Sequence, residues 1–229
     1  VPVYKKPSIA IIVTGNELTT PGEVLESGKI YESNGIMLQN VLNSLGYTHI
    51  TRYAVNDNYA DTIQTLGEAI ETNDFTIISG GISVGDYDFV SKALPEIGVE
   101  EHFYKVHQKP GKPLFYGSKG HKQVFALPGN PAATLSCFYL YVLLSLEIYS
   151  GNKQFQLHRT MARSQGHFEA KGNRPQFLKA RYSDGKVSIL EGQNSSMLHT
   201  FALANALVFK PETTSTINKD DLLETILLP

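Results

Sequence analysis

Between Ser8 and about Tyr149, short runs of β-branched residues alternate with amphipathic stretches, and this alternation restricts the fold more than any other feature of the chain. Ile9-Ala10-Ile11-Ile12-Val13 reads as a buried strand, and Leu38, Val41, Leu42 and Leu45 mark a helix face that stops at Gly46. His49 to Val55 reads as the next strand, with Ile63, Leu66 and Ile70 on the helix after it. Phe75 to Ile78 is a third strand, Phe89 to Leu94 a short helix, Val124 to Leu127 a late strand and Pro131 to Tyr149 a long helix. Such alternation implies right-handed crossovers and an α/β fold, a mostly parallel sheet with helices on both faces, over residues 1–150. Ligands of such sheets sit outside the carboxyl ends of the strands, so the loops leaving the strands are where chemistry is expected.

After Gly151-Asn152 the pattern changes. Phe155 to Arg163, Gln176 to Tyr182, Lys186 to Leu190, Leu203 to Phe209 and Leu222 to Leu228 are short runs split by turn residues such as Ser183-Asp184-Gly185. Residues 151–229 therefore read as a small all-β, barrel-like module of about five strands, within the reach of a 229-residue chain. The apolar stretch Ala132 to Leu146 is shorter than the roughly 20 residues a membrane-spanning helix needs, which favours a core helix and no membrane partner. Cys137, the single cysteine, permits no internal disulfide and leans toward a reducing, cytoplasmic setting. The chain begins Val1-Pro2 with no charged-then-apolar leader, so no signal peptide is expected and it reads as a possible fragment.

Net charge divides the chain: residues 1–150 carry 10 Lys and Arg against 15 Asp and Glu, residues 151–229 carry 10 against 7. Yet His102 to Leu146 holds no acidic residue, while Lys105, Lys109, Lys112, Lys119 and Lys122 all fall inside it. A short cationic segment in an acidic half suits a small anion; a nucleic-acid face would spread further. An ordinary solvated lysine-rich loop is the plainer alternative.

Four segments fall where strands end. Thr14-Gly15-Asn16-Glu17-Leu18 puts a carboxylate at the sheet's rim, or is a turn with a solvated Glu. In Ser79-Gly80-Gly81-Ile82-Ser83-Val84-Gly85-Asp86-Tyr87-Asp88, paired glycines let backbone amides approach an anion. Asp88 there is either the cap of the following helix or, with Asp57 in Asn56-Asp57-Asn58, a ligand for Mg²⁺, which is typically held by one or two carboxylates plus substrate phosphates. The same loop matches G-x-S-x-G, but three residues separate Gly85 from the helix start, unlike a nucleophile elbow. Prolines 110 and 113 stiffen the loop bearing Lys105, Lys109 and Lys112. Pro128-Gly129-Asn130-Pro131 starts the long helix, with Asn130 as N-cap and free amides as a second anion site. Cations for phosphates or an oxyanion, carboxylates for a metal and no nucleophile with an evident base suit transfer at a phosphate anhydride by positioning and electrostatics.

In this order and spacing, Thr14-Gly-Asn-Glu-Leu18, Ser79-Gly-Gly-Ile-Ser-Val-Gly-Asp-Tyr-Asp88, Lys109-Pro-Gly-Lys-Pro113 and Leu127-Pro-Gly-Asn-Pro131 resemble the molybdopterin molybdenumtransferase family over nearly the whole chain. The resemblance implies insertion of molybdenum from molybdate into adenylylated molybdopterin, with release of AMP in a Mg²⁺-assisted step, by a cytoplasmic protein that is a homodimer at full length. It carries Glu17, Asp57 and Asp88 over as functional acids, with Asp57 and Asp88 for the metal, and Lys105, Lys109 and Lys112 as anion-binding lysines. It also implies substrate contacts at Gly80, Gly81, Ser83 and Pro128 to Pro131, and at Ser195 in Gln193-Asn194-Ser195-Ser196-Met197-Leu198. Lys179, a further implied substrate contact, stands where the family carries an arginine; a lysine keeps the charge and loses the bidentate fork. Asn58 stands where a second adjacent acid is common, and two further N-terminal domains of the family have no counterpart here. A stand-alone molybdopterin adenylyltransferase is the rival enzyme, although its glycine loop reads Gly-Gly-Thr-Gly and the β module has no place in it. A non-catalytic binding domain is the rival of another class.

Overall fold

The computed structural model of the chain describes residues 3–82, 88–169 and 172–229. The expected strands and helices form in the expected order, β1 (Ile9–Thr14), α1 (Asn34–Ser44), β4 (Ile50–Val55), α2 (Tyr59–Thr72), β5 (Phe75–Ser79) and α3 (Phe89–Glu96), with an unexpected short pair, β2 (Leu18–Thr19) and β3 (Ile30–Tyr31), between β1 and α1. Then come β6 (Glu100–Tyr104), β7 (Phe115–Lys119), β8 (Lys122–Leu127) and one continuous helix, Pro131–Tyr149, in which a π turn (Phe138–Val142) joins α4 (Pro131–Cys137) to α5 (Leu143–Tyr149).

The six-stranded sheet runs β4-β1-β5-β8-β7-β6, parallel from β4 to β8 and antiparallel at β7 and β6. Period-2 alternation decides which helices cover which face. Ile9, Ile11, Phe75 and Ile77 meet Leu38 and Leu42 of α1 and Phe138, Leu143 and Leu146 of the long helix. Ala10, Ile12 and Ile78 on the other face meet Leu66 and Ile70 of α2 and Val90 and Leu94 of α3. The antiparallel edge is an addition to the sequence reading, because Glu100-Glu101-His102 in β6 is exposed and lacks the apolar run that marks a buried strand.

The long helix corrects one expectation. Counted from Pro131 to Tyr149 it has 19 residues, long and apolar enough to cross a membrane by length and composition. What places it in the core is packing: Phe138, Val142, Leu143 and Leu146 are buried against the sheet.

Residues 159–227 build a closed five-stranded barrel, in the order β11 (Gln176–Ser183), β12 (Lys186–Ile189), β9 (Arg159–Ser164), β15 (Leu222–Leu227), β13 (Ala206–Lys210). Closure removes the sheet edges, and Ala162, Leu178, Ala180, Val187 and Val208 fill the interior. The short pair β10 (Phe168–Glu169) and β14 (Thr216–Ile217) adds Ile217 to that core. Two of the expected strands are trimmed. Phe155 and Leu157 pack on the α/β core before β9 begins, and a 3₁₀ turn, Leu198–Ala202, precedes β13.

Candidate active site

A cleft of about 870 Å³ opens at the carboxyl ends of β1, β5 and β8, where an α/β sheet presents its loops. Glu17, Asp57, Gly80, Gly81, Asp88 and the Pro128–Pro131 turn all line it. Its floor needs glycine. Gly80 has φ +94° and Gly81 φ +69°, and an added Cβ would stand 3.0 Å from the Thr14 carbonyl oxygen and 2.5 Å from Val90 Cγ2, respectively. Ser83 lies outside the described residues, as does most of the G-x-S-x-G match.

Asn34, which the sequence reading passed over, joins the two loops. Its Nδ2 donates to Ser79 Oγ (2.8 Å) and to the Gly129 carbonyl (2.7 Å), and its Oδ1 is buried without a partner among the described residues. Thr14 Oγ1 is a second unpartnered polar atom in the cleft wall. The available signal was Ser33-Asn34 just ahead of the first helix face, a pair that reads as a helix start rather than a site.

The three acids sit at the cleft with different degrees of freedom. Asp57 is fixed by a reciprocal pair: Asn16 N donates to its Oδ2 (3.2 Å) and its own N donates to Asn16 Oδ1 (3.0 Å). The neighbouring Asn58, in place of a second acid, caps α2 by accepting from Asp61 N. Asp88 caps α3, accepting from Ser91 N at 3.2 Å, with Tyr104 Oη 3.5 Å from its Oδ2. Burial, with the Asp88 charge, pushes the Tyr104 hydroxyl above the usual tyrosine range. Glu17 is exposed and folds over Gly15, where a Cβ would meet its Oε2 at 2.5 Å. Among the described residues no group of three or more His, Cys, Asp or Glu forms a metal cage. This donor set fits a Mg²⁺ that arrives with phosphate oxygens and takes one or two carboxylates.

The lysines do not line this cleft; they stand on a separate, stiff loop. Lys105 N donates to the Leu114 carbonyl and Val106 N to the Lys112 carbonyl, which closes the loop on itself. Lys105 has φ +64° and holds its ammonium 4.6 Å over the Tyr104 ring. Buried Gln108 ties the loop inward, accepting from Tyr141 Oη and donating to the Pro110 carbonyl. Gly111, at φ +88°, touches the long helix, where an added Cβ would lie 2.3 Å from Cys137 Sγ. Burial pushes the Cys137 thiol up to about 12, so this cysteine packs rather than reacts. Lys109 joins the barrel: its N donates to the Pro175 carbonyl, and its carbonyl accepts from Phe177 N, each at 2.9 Å.

Two expectations about the barrel side are revised. The amides at the start of the long helix are not free for an anion, because Ala132 N and Ala133 N donate to the Ser195 carbonyl (2.9 and 3.2 Å). Asn130 makes no side-chain cap and donates instead to Ser195 Oγ at 3.0 Å. Ser195 is therefore a docking residue, and its neighbour Ser196 faces the cleft. Lys179 is 4% exposed, and its ammonium donates to the carbonyls of Gly192 (2.7 Å), Asn194 (3.2 Å) and Met197 (3.0 Å). It clamps the serine-bearing loop from behind, and burial pushes it down to about 8.

Both parts of the chain match known families. Residues 10–147 match the family described as "Probable molybdopterin binding domain", and residues 161–228 match "MoeA C-terminal region (domain IV)". The chain is 32% identical over 219 residues to the molybdenum cofactor synthesis protein cinnamon of Drosophila melanogaster, covering 93% of this chain and 36% of that protein. It is 32% identical over 215 residues to a molybdopterin molybdenumtransferase of Staphylococcus aureus, covering 92% and 51%. Among solved structures, the molybdopterin biosynthesis MoeA protein of Pyrococcus horikosii superposes with a TM-score of 0.81 at 29% identity, over 97% of this chain and 54% of that one. The chain thus spans about half or less of the length of these relatives.

Proposed function

Because the chain belongs to the family of probable molybdopterin binding domains, continued by a MoeA C-terminal region, we propose that it carries the site of a molybdenumtransferase. The reaction is insertion of molybdenum from molybdate into adenylylated molybdopterin, with release of AMP. The carrying observation is the cleft of about 870 Å³ that brings the Gly80-Gly81 floor, the Pro128–Pro131 turn and three carboxylates together beside a stiff lysine loop.

In this reading the glycine floor admits the phosphates of the pterin nucleotide close to the backbone, and Asn34 fastens that floor to the Pro128–Pro131 turn. Lys105, Lys109 and Lys112 hold the molybdate as substrate. Asp57 and Asp88 would hold a Mg²⁺, which supplies neutralisation of charge on the phosphate oxygens. Glu17, exposed at the rim, is placed to orient water or the leaving phosphate. The barrel contributes Ser196 to the cleft and Ser195 to its docking, which supports molybdenum insertion over adenylyl transfer by a protein lacking that module. A cytoplasmic setting and a homodimer at full length belong to the same proposal.

Asp88 provides the test, because capping and catalysis separate there. Asparagine caps a helix as well as aspartate, whereas alanine costs about 0.5–2 kcal/mol. Asp88→Asn should keep the unfolding midpoint and slow AMP release by about tenfold or more, while Asp88→Ala should lose both. Unchanged AMP release in a folded Asp88→Asn protein would remove Asp88 from the site and leave it a cap.

A further inference from the structure

Lys210 ends β13, is 1% exposed, and its Nζ has no hydrogen-bond partner among the described residues. Charges buried in a protein are paired or hold a ligand, since an isolated one is costly. The strand register identifies what lies beside it. Gln176 of β11 pairs with Lys210 on one side, and Lys109 pairs with Gln176 on the other. Directly paired residues project from the same face of a sheet. Lys109, at a single bridge from the lysine loop, Gln176 of β11 and Lys210 of β13 therefore form one row, two lysines flanking a buried amide residue.

The alternation along the strands agrees. The next pair, Phe177 and Phe209, meets on the opposite face with ring centroids 5.3 Å apart, and the pair after it, Leu178 and Val208, returns to the barrel core. The row thus continues the barrel's inner face at the end that meets the lysine loop. Burial holds the Lys210 ammonium below the ordinary lysine range, Glu212 opposes this, and the charge of Lys109 adds to it. Glu212 is exposed and lies 3.1 Å from His107 Nε2, so the local carboxylate already has a hydrogen-bonding neighbour.

We infer that Lys109 and Lys210 together bind one doubly charged tetrahedral oxyanion at the junction of the α/β sheet and the barrel. The inference rests on the proposed function, in which Lys109 holds molybdate, and adds Lys210 as the second cation. A dianion between the two ammonium groups removes their mutual repulsion and gives the buried one its missing acceptor. Lys179, on the same strand as Gln176, cannot serve in this role because its three donors already meet loop carbonyls.

The test is equilibrium binding of molybdate, with sulfate as a second tetrahedral probe, to the chain and to Lys210→Met, Lys109→Met and the double variant. Methionine keeps the length and removes a buried charge, so Lys210→Met should unfold at the same temperature as wild type or higher. The expected result is molybdate and sulfate binding about tenfold weaker or more in each single variant, the loss of one charge-assisted hydrogen bond. The double variant should be little weaker than either single variant, because one anion needs both cations. Binding within twofold of wild type in Lys210→Met, with Lys109→Met impaired, overturns this inference and leaves the proposed function standing. Wild-type binding in both variants overturns the two together. If Lys210→Met loses fold and binding alike, Lys210→Arg decides: restored binding supports the site, and a folded arginine variant that does not bind contradicts it.

Discussion

The cleft floor and the lysine loop, which reaches the cleft lining at Pro113, are held by different means. The floor is made where parallel strands end, and its shape follows from backbone at Gly80 and Gly81 that leaves no room for a side chain. The lysine loop closes on itself and is also tied to its neighbours, by Gln108 and Gly111 against the long helix and by Lys109 against β11 of the barrel. In the proposed reading the pocket for the pterin nucleotide therefore rests chiefly on the parallel sheet, with Ser196 of the barrel in its lining, while the oxyanion side depends on the barrel being docked.

Substituting each glycine hinge in turn breaks one side and spares the other. The largest effect belongs to Gly81→Ala, since a left-handed conformation for a residue with a Cβ costs about 1–2 kcal/mol and overpacking about 1–3 more. Urea unfolding should show a loss of about 2–5 kcal/mol, with nucleotide binding reduced far more than molybdate binding. A stable variant with normal nucleotide affinity would mean that the floor does not need its glycine.

Gly111→Ala should do the converse, displacing the lysine loop and weakening molybdate binding while nucleotide binding holds. Its clash is with Cys137 Sγ at 2.3 Å, so adding Cys137→Ala should recover part of the loss. Recovery is partial because the φ of +88° still disfavours alanine, by about 1–2 kcal/mol. Failure of the second substitution to recover any binding would place the cause elsewhere than in this contact.

The last effect concerns the barrel's own clamp. Lys179 falls from its ordinary 10.5 to about 8 in the fold, so between these values the unfolded chain binds the extra proton. Stability should therefore rise with pH across that window, and the rise should vanish in Lys179→Met. Equal slopes in the two proteins, by thermal unfolding at stepped pH, would show that Lys179 keeps its ordinary titration in the barrel.

Most of the floor could be read from the chain, because it is local: strand, glycine pair and capped helix are contiguous, and alternation of apolar residues locates the strand ends. Asp88 was legible as a cap for the same reason. What escaped is long-range. Asn34 matters through partners 45 and 95 residues away, and no local pattern marks such a residue. The amides of the long helix read as free because Pro131 and Asn130 describe only a helix start, whereas the carbonyl that fills them comes from Ser195. Lys179 read as a substrate contact because position in a motif says nothing about the direction of its side chain, which turns to three carbonyls. The edge strands β6 and β7 escaped because exposure on one face weakens the apolar signal.

The division of labour between the two sides is tested most directly by titrating adenylylated molybdopterin and molybdate separately into the wild-type chain and into Lys109→Ala. The expected result is nucleotide binding within about twofold of wild type and molybdate binding weaker by about tenfold to a hundredfold, the loss of one charge-assisted contact. Equal loss of both ligands, or retention of molybdate with loss of the nucleotide, would contradict a lysine loop that serves the oxyanion alone.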